Sequence, residues 1–136
     1  MSSKELERIH NPHPLDFRYL EDYIEDIEDN SRIVAIESNR EIVPDIRVMH
    51  TPVHTDGGLT VIIATAKGKA VISGFCVIME NLYPPVEITA MEMEAIPPGT
   101  HVNVYEAYDI MLKVREMADI LLPLHEPKFA GKAEIP

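Results

Sequence analysis

The chain has 136 residues, of which 46% are hydrophobic, and 23 Asp and Glu outnumber 12 Lys and Arg, for a formal net charge of -11. This length suits one domain with its own core, and the acidity argues against binding to a nucleic-acid backbone, which would repel it. No apolar run approaches the length that crosses a bilayer, and residues 1–14 lack the apolar centre of a signal peptide. The single cysteine, Cys76, excludes an intrachain disulfide. We expect a cytoplasmic protein that binds neither membrane nor nucleic acid.

The first regular pattern is a predicted helix over residues 15–29, which follows an N-terminal leader of residues 1–14. Apolar residues recur at Leu20, Tyr23 or Ile24, and Ile27, which is helical spacing. The acidic run EDYIEDIED lies within this helix. We interpret the run as a solvated helix face, because the spacing does not converge its carboxylates on one loop as a cation site requires.

Four β-prone segments follow: RIVAIES, EIVPDIRVMHT, LTVIIATA and AVISGFCV. Pro44 lies inside the second segment, so that strand is predicted to be edge-like or broken there. The last two segments, from Leu59 to Val77, are predicted to form an antiparallel hairpin around Lys67-Gly68-Lys69. Their strands are apolar at nearly every position, so we expect either that both faces are covered within the chain or that a partner covers one of them.

The composition of the chain changes after the hairpin, where proline and methionine become frequent. Residues 80–100 contain two Pro-Pro pairs and predict a long loop with a short helix in its middle. Asn103 and Glu106 resemble a capping box, and an apolar stripe from Val104 to Ala118 predicts a helix behind it. A short buried strand, 120–122, is then expected to lead to His125, before a mobile tail of residues 128–136.

Histidine and cysteine side chains are the candidates for chemistry. His54 follows a strand beside a glycine turn and His125 follows the last predicted strand, where a loop can aim an imidazole at a metal. Cys76 lies in an apolar predicted strand, which favours an inert thiol, and a Cys-His nucleophilic pair is the alternative. Of the other histidines, His10 and His13 in the Pro-rich leader are interpreted as solvated, and His50 and His101 as structural.

Five motifs also occur in a fixed order: Thr51-Pro52-Val53-His54-Thr55, Ile72-Ser73-Gly74, Glu80-Asn81-Leu82, Pro97-Pro98-Gly99 and Leu122-Pro123-Leu124-His125-Glu126-Pro127. This order resembles the C-terminal half of a metallo-β-lactamase-superfamily hydrolase, in the branch that includes the acyl-homoserine lactonases. The resemblance covers about residues 16–127 and about half of the family domain. The family's N-terminal signature, His-x-His-x-Asp-His, is absent from the chain.

The resemblance implies that His54 and His125 are metal ligands, for zinc or alternatively iron or manganese. The residue at the position of the family's metal-bridging aspartate is Phe75, which cannot ligate a metal. Val53 and Leu124 replace two family glycines. A catalytic zinc needs about three protein ligands, so one chain does not supply a standard dinuclear centre by itself.

The implied fold is α+β, half of an αβ/βα sandwich, over residues 15–127, with a mostly antiparallel sheet and flanking helices. Such a half leaves one sheet face bare, so we expect completion by a homodimer around a twofold axis. The expected function is a dimeric structural or binding module without standard dinuclear hydrolase activity. One alternative is a metal-dependent hydrolase of an ester, lactone or amide whose site a second subunit or a separate chain completes. Another is a small-ligand pocket lined by the Met- and Pro-rich residues 80–99.

Overall fold

The computed structural model describes residues 1–15, 33–37, 39–132 and 134. The helix predicted over residues 15–29, with its acidic run, therefore lies outside the described residues apart from Leu15. Within the described part of the chain, no helix has the length and apolar character needed to span a membrane.

In the part of the chain that the structure describes, five strands form one sheet in chain order: β1 (Arg40–Val43), β2 (Ile46–His50), β3 (Leu59–Thr65), β4 (Gly68–Ser73) and β5 (Ile120–Pro123). The first four strands pair antiparallel with their neighbours, and β5 pairs parallel with β4. The predicted α+β fold with a mostly antiparallel sheet is confirmed.

Two of the predicted strands are divided or shortened for local reasons. The second breaks at Pro44, as predicted, and Asp45 takes a left-handed φ of 69° in the turn between β1 and β2. The predicted strand through Val77 instead ends at Ser73. Residues 33–37, predicted as strand, make only an isolated bridge from Ile36 to Ser2.

Among the described residues, four helices accompany the sheet: α1 (Ser3–His10), α2 (Met79–Leu82), α3 (Val86–Thr89) and α4 (Val104–Met117), with a 3-10 turn at Pro127–Phe129. The predicted cap of α4 is present, because the Asn103 side chain accepts hydrogen bonds from the backbone N–H groups of Tyr105 and Glu106 at 3.0 and 3.1 Å. The predicted loop over residues 80–100 contains two short helices, α2 and α3.

One face of the sheet packs against α4 and forms the main core. The core side chains come from three sheet positions, from α4 and from the connecting loops: Met49, Val71, Leu121, Ala107, Met111, Val114, Val53, Phe75, Val77, Leu82 and Ala95. Burial of each large apolar side chain contributes roughly 1.5–3 kcal/mol. This core fixes the loops that follow β2 and β4, because Val53, Phe75 and Val77 belong to it.

The opposite face of the sheet is also apolar. Because Val71 points toward α4, its neighbours Ala70 and Ile72 point the other way, and the strand register adds their partners to the same face. We call this surface the outer sheet face: Ile46, Val48, Val61, Ile63, Ala70, Ile72, Ile120 and Leu122. Five of these residues are partly exposed: Ile46, Val61, Ile63, Ile72 and Ile120.

Candidate functional site

Three loops meet at one end of the sheet. Strands β2, β4 and β5 run in the same direction, since β3 is antiparallel to both β2 and β4 and β5 is parallel to β4. Their C-terminal ends therefore lie at the same end of the sheet. The loops there comprise residues 51–58, 74–78 and 124–126, and three of the five sequence motifs lie wholly or partly in them.

The first loop holds His54 on a rigid base. The Thr51 N–H donates to the Gly58 carbonyl at 2.8 Å, and the Thr51 and Thr60 hydroxyls lie 3.0 Å apart, both buried. Val53 is fully buried, and its carbonyl accepts from the Val102 N–H at 2.9 Å. His54 itself is partly exposed. Val53, the residue before His54, is therefore held both by burial of its side chain and by its backbone hydrogen bond to Val102.

The second loop brings Cys76 to His54. The Cys76 Sγ lies 3.8 Å from the His54 Nδ1, within hydrogen-bonding distance for sulfur. Cys76 is partly exposed and lies in a loop rather than in the predicted strand. The strand ends before Cys76 because the backbone at Gly74 passes directly against β3. A Cβ at Gly74 would lie 1.6 Å from the Leu59 carbonyl oxygen, so only glycine fits there. The neighbouring Phe75 is 1% exposed and belongs to the core.

The third loop carries His125 past the end of β5. The His125 N–H donates to the Val77 carbonyl at 3.2 Å, and the residue is exposed. The next residue is structural, because the Glu126 carboxylate accepts from the Met79 N–H at 2.7 Å at the start of α2. His54 and His125 thus border the same loop, one at Cys76 and the other at Val77.

A cavity of about 250 Å³ brings His54 together with two histidines whose role the sequence did not reveal. It is lined by Arg8, His13, Leu15, His54, Thr55, Asp56, Thr100, His101 and Val102. From the sequence, His13 is interpreted as solvated and His101 as structural, and no local signal distinguishes either of them, because three separate segments form this cavity: residues 8–15, 54–56 and 100–102. His125 is not among its described lining residues.

Hydrogen bonds orient two of the cavity's histidines. The Nδ1 of His101 lies 2.8 Å from the Pro98 carbonyl oxygen, an acceptor, so Nδ1 is the donor in this contact. The Nδ1 of His13 accepts from the Leu15 N–H at 3.2 Å. Outside this cavity, His50 bonds the backbone as predicted, with its Nε2 2.7 Å from the Asp56 carbonyl.

Helix α1 docks on the His54 loop through polar groups. The Ser2 hydroxyl donates to the Gly57 carbonyl at 2.6 Å, the Thr55 hydroxyl donates to Glu5 at 2.5 Å, and Arg8 pairs with Asp56 at 2.6 Å. The Arg8–Asp56 pair also borders a second cavity of about 330 Å³, with Lys4, Glu7 and Asn11. The leader thus supplies one wall of the site.

The described residues do not fit the dinuclear metal centre that the resemblance implies. Within residues 1–15, 33–37, 39–132 and 134, no group of three or more His, Cys, Asp or Glu side chains is arranged to hold a metal ion. Phe75, at the position of the bridging carboxylate, is packed in the core and offers no ligand atom. His54 approaches a thiol, and His125 is exposed on a different loop.

Comparison with known proteins gives structural matches alone. No protein-family model and no curated protein matches the chain. A solved N-acyl homoserine lactone hydrolase, with the product N-hexanoyl-L-homoserine at its catalytic metal centre, matches with a TM-score of 0.68 and 18% identity, over 98% of this chain and 49% of that one. A quorum-quenching N-acyl homoserine lactone lactonase matches with a TM-score of 0.66 and 18% identity, over 98% and 51%.

A third solved structure, a probable metal-dependent hydrolase from Staphylococcus aureus, matches with a TM-score of 0.59 and 16% identity, over 81% of this chain and 36% of that one. The chain spans about half the length of the first two structures. At these identities the likeness establishes the fold. The chain has the α+β fold of the C-terminal portion of a metallo-β-lactamase-like domain.

Proposed function

We propose that this chain is a structural or binding module that forms a homodimer through the outer sheet face and lacks a dinuclear hydrolase centre of its own. The observation that carries the proposal is the outer sheet face itself. It is apolar on four adjacent strands and partly exposed, in a chain that spans about half of its structural neighbours. The single Cys76 supports placement in a reducing compartment, the cytoplasm.

A twofold contact suits this face because a sheet surface is complementary to a second copy of itself. In an isologous interface the same patch serves both partners, and stable dimers bury about 800 Å² on each. Face-to-face sheets pack about 10 Å apart with interdigitated side chains. The β-branched and small residues of the outer sheet face, such as Val61, Ala70 and Ile72, suit this spacing.

Analytical ultracentrifugation tests the dimer. We expect the wild-type protein to sediment as a dimer and the Ile63→Lys variant as a folded monomer, because a buried lysine charge is costly at an interface. The matched control is Val34→Lys, at a residue that is 67% exposed, and it should remain dimeric. A wild-type monomer at high micromolar concentration, with native circular dichroism, contradicts the proposal.

The second candidate is a metal-dependent hydrolase of an ester, lactone or amide, with a site that a second subunit or a separate chain completes. The observation in its favour is that His54 and His125 border the same loop of residues 74–78. The proposed ligands are these two histidines, and the metal is zinc, iron or manganese. Activity would then require groups from outside this chain.

Elemental mass spectrometry of protein purified without chelator separates the two candidates. If the chain is a module without a metal centre, the metal content per chain should be at background in both the wild type and the His54→Ala variant. Near-stoichiometric metal that is lost in His54→Ala, but retained in His10→Ala as a matched histidine control, favours the hydrolase. A variant that loses secondary structure by circular dichroism is replaced by His54→Gln before any conclusion is drawn.

A further inference from the structure

Residues 83–94, which we call the 83–94 segment, expose several large apolar side chains close together in sequence. Val86 is 73% exposed, Met91 67%, Tyr83 53% and Met93 36%. Single exposed apolar residues are ordinary on protein surfaces. Four within one short segment are not, and such concentrations mark interaction sites.

The 83–94 segment is fixed at both ends by α4. The Arg115 guanidinium donates to the carbonyls of Leu82 at 3.0 Å and Glu94 at 2.6 Å, and to the Glu94 carboxylate at 3.0 Å. It also lies 5.6 Å from the centroid of the Tyr83 ring. The Glu94 N–H donates to the Tyr108 hydroxyl at 3.0 Å. A segment held in this way loses less conformational entropy when a partner binds it.

Backbone strain lies between the two exposed methionines. Glu92 has a left-handed φ of 62°, a conformation that glycine or asparagine adopts more cheaply. Such a residue persists where the surrounding structure determines its conformation. Strained positions of this kind concentrate at binding surfaces, so the turn at Glu92 supports a role beyond connecting α3 to Ala95.

The charge of this region identifies the partner's chemistry. Residues 70–112 contain no lysine or arginine and carry six acidic residues: Glu80, Glu87, Glu92, Glu94, Glu106 and Asp109. Four of these, from Glu80 to Glu94, are exposed in or beside the 83–94 segment, and one of the four, the Glu94 carboxylate, pairs with Arg115 at 3.0 Å. An acidic surface repels nucleic acids and anionic membranes, whereas a cationic partner is attracted and guided to it.

We propose that the 83–94 segment is a docking surface for a basic amphipathic helix of a partner protein. Such a helix places an apolar stripe against a hydrophobic surface and its flanking lysines or arginines against the surrounding carboxylates. Methionine side chains suit this use, because they are flexible and polarisable and adapt to partners of different shape. The segment is braced to α4, on the side of the sheet away from the outer sheet face, so both surfaces can be occupied together.

The test uses a fluorescein-labelled synthetic Leu/Lys peptide of about 18 residues that forms an amphipathic helix. A second peptide has the same composition in an order that mixes leucine and lysine on every face. We expect the first peptide to bind at physiological salt in a fluorescence polarisation assay and to shift amide resonances mainly of residues 83–94. The Val86→Ser/Met91→Ser variant should bind it about tenfold more weakly, and the control variant Leu124→Ser, at a residue 60% exposed, within about twofold of the wild type.

Four results would overturn the proposal. Equal binding of the two peptides would show attraction by charge alone. Resonance shifts away from the 83–94 segment, or unchanged affinity in Val86→Ser/Met91→Ser, would show that these side chains do not form the surface. Conversion of a wild-type dimer to a monomer by that double variant would make the segment an interface between copies of this chain. The Ile63→Lys variant should bind the first peptide like the wild type, which separates this proposal from the dimer.

Discussion

At the scale of single residues, backbone proximity explains the positions that local sequence patterns misplaced. Cys76 and Phe75 follow an apolar run that resembles a continuous strand, yet the strand ends at Ser73 because Gly74 passes directly against the Leu59 carbonyl. That approach lets Phe75 enter the core and Cys76 reach His54. The contact joins residues distant in sequence, so no local pattern reveals it.

Substitution of Gly74 is therefore expected to be costly. The Cβ of Gly74→Ala would lie 1.6 Å from the Leu59 oxygen, so β3 and β4 must separate locally. We expect a loss of about 2–4 kcal/mol in the free energy of unfolding, measured by urea denaturation. Gly99→Ala is the control, since nothing lies within 4 Å of its added Cβ, and it should change stability by less than about 1 kcal/mol. Equal stabilities would show that the two strands are not this close.

His13 and His101 illustrate the other limit of sequence reasoning. His54 and His125 were singled out because each follows a predicted strand, a local signal that carries over to the structure. His13 and His101 join His54 in one cavity only through tertiary packing of the leader and of the segment before α4. That His54 and His125 are metal ligands stays a prediction.

At the scale of elements, the sequence predicts best those features in which a nearby side chain bonds the element's own backbone N–H groups. The start of α4 was predicted from Asn103, and the structure shows that side chain accepting two N–H groups of the first turn. The apolar stripe behind it supplies Ala107, Met111 and Val114 to the core. Residues 33–37, by contrast, have strand-like composition but bridge to Ser2, a partner that only the folded leader provides.

The cap of α4 gives a prediction for this element. Asn103→Ala leaves two N–H groups of the first turn without their side-chain acceptor, and we expect about 1 kcal/mol of lost stability in thermal or urea unfolding. Asp109→Ala, at an exposed residue within the same helix, should leave stability within about 0.5 kcal/mol or raise it slightly. An Asn103→Ala protein as stable as the Asp109→Ala protein would argue against this cap.

At the scale of the whole molecule, the lack of alternation between apolar and polar residues in the strands predicts that the sheet has two apolar faces. Strands apolar at nearly every position imply two apolar faces, and the structure has both: one packed on α4, the other the outer sheet face. The sequence pattern could not specify what meets the outer face. Hydrophobic patterning records that a residue is suited to burial and carries no information about the identity of its neighbour.

Thermal stability should therefore depend on protein concentration. If the outer sheet face is shared between two copies, association stabilises the folded state by mass action. We expect the Tm of the wild-type protein to rise over a hundredfold increase in concentration, while that of Ile63→Lys stays constant. Differential scanning calorimetry measures both, and a wild-type Tm independent of concentration would contradict the dimer.

The parallel pairing of β5 with β4 has a consequence for how the molecule folds. Strands β2, β3 and β4 are neighbours in sequence, so their hairpins need only local contacts, whereas the pairing of β5 with β4 requires the chain to cross back over the sheet through α4. We expect pulse-labelled hydrogen exchange to protect Val61 and Ile72 before Leu121, and the reverse order would contradict this. We therefore expect this end of the sheet to be assembled in two stages, in which the His54 loop forms together with β2, β3 and β4 and His125 reaches its position last.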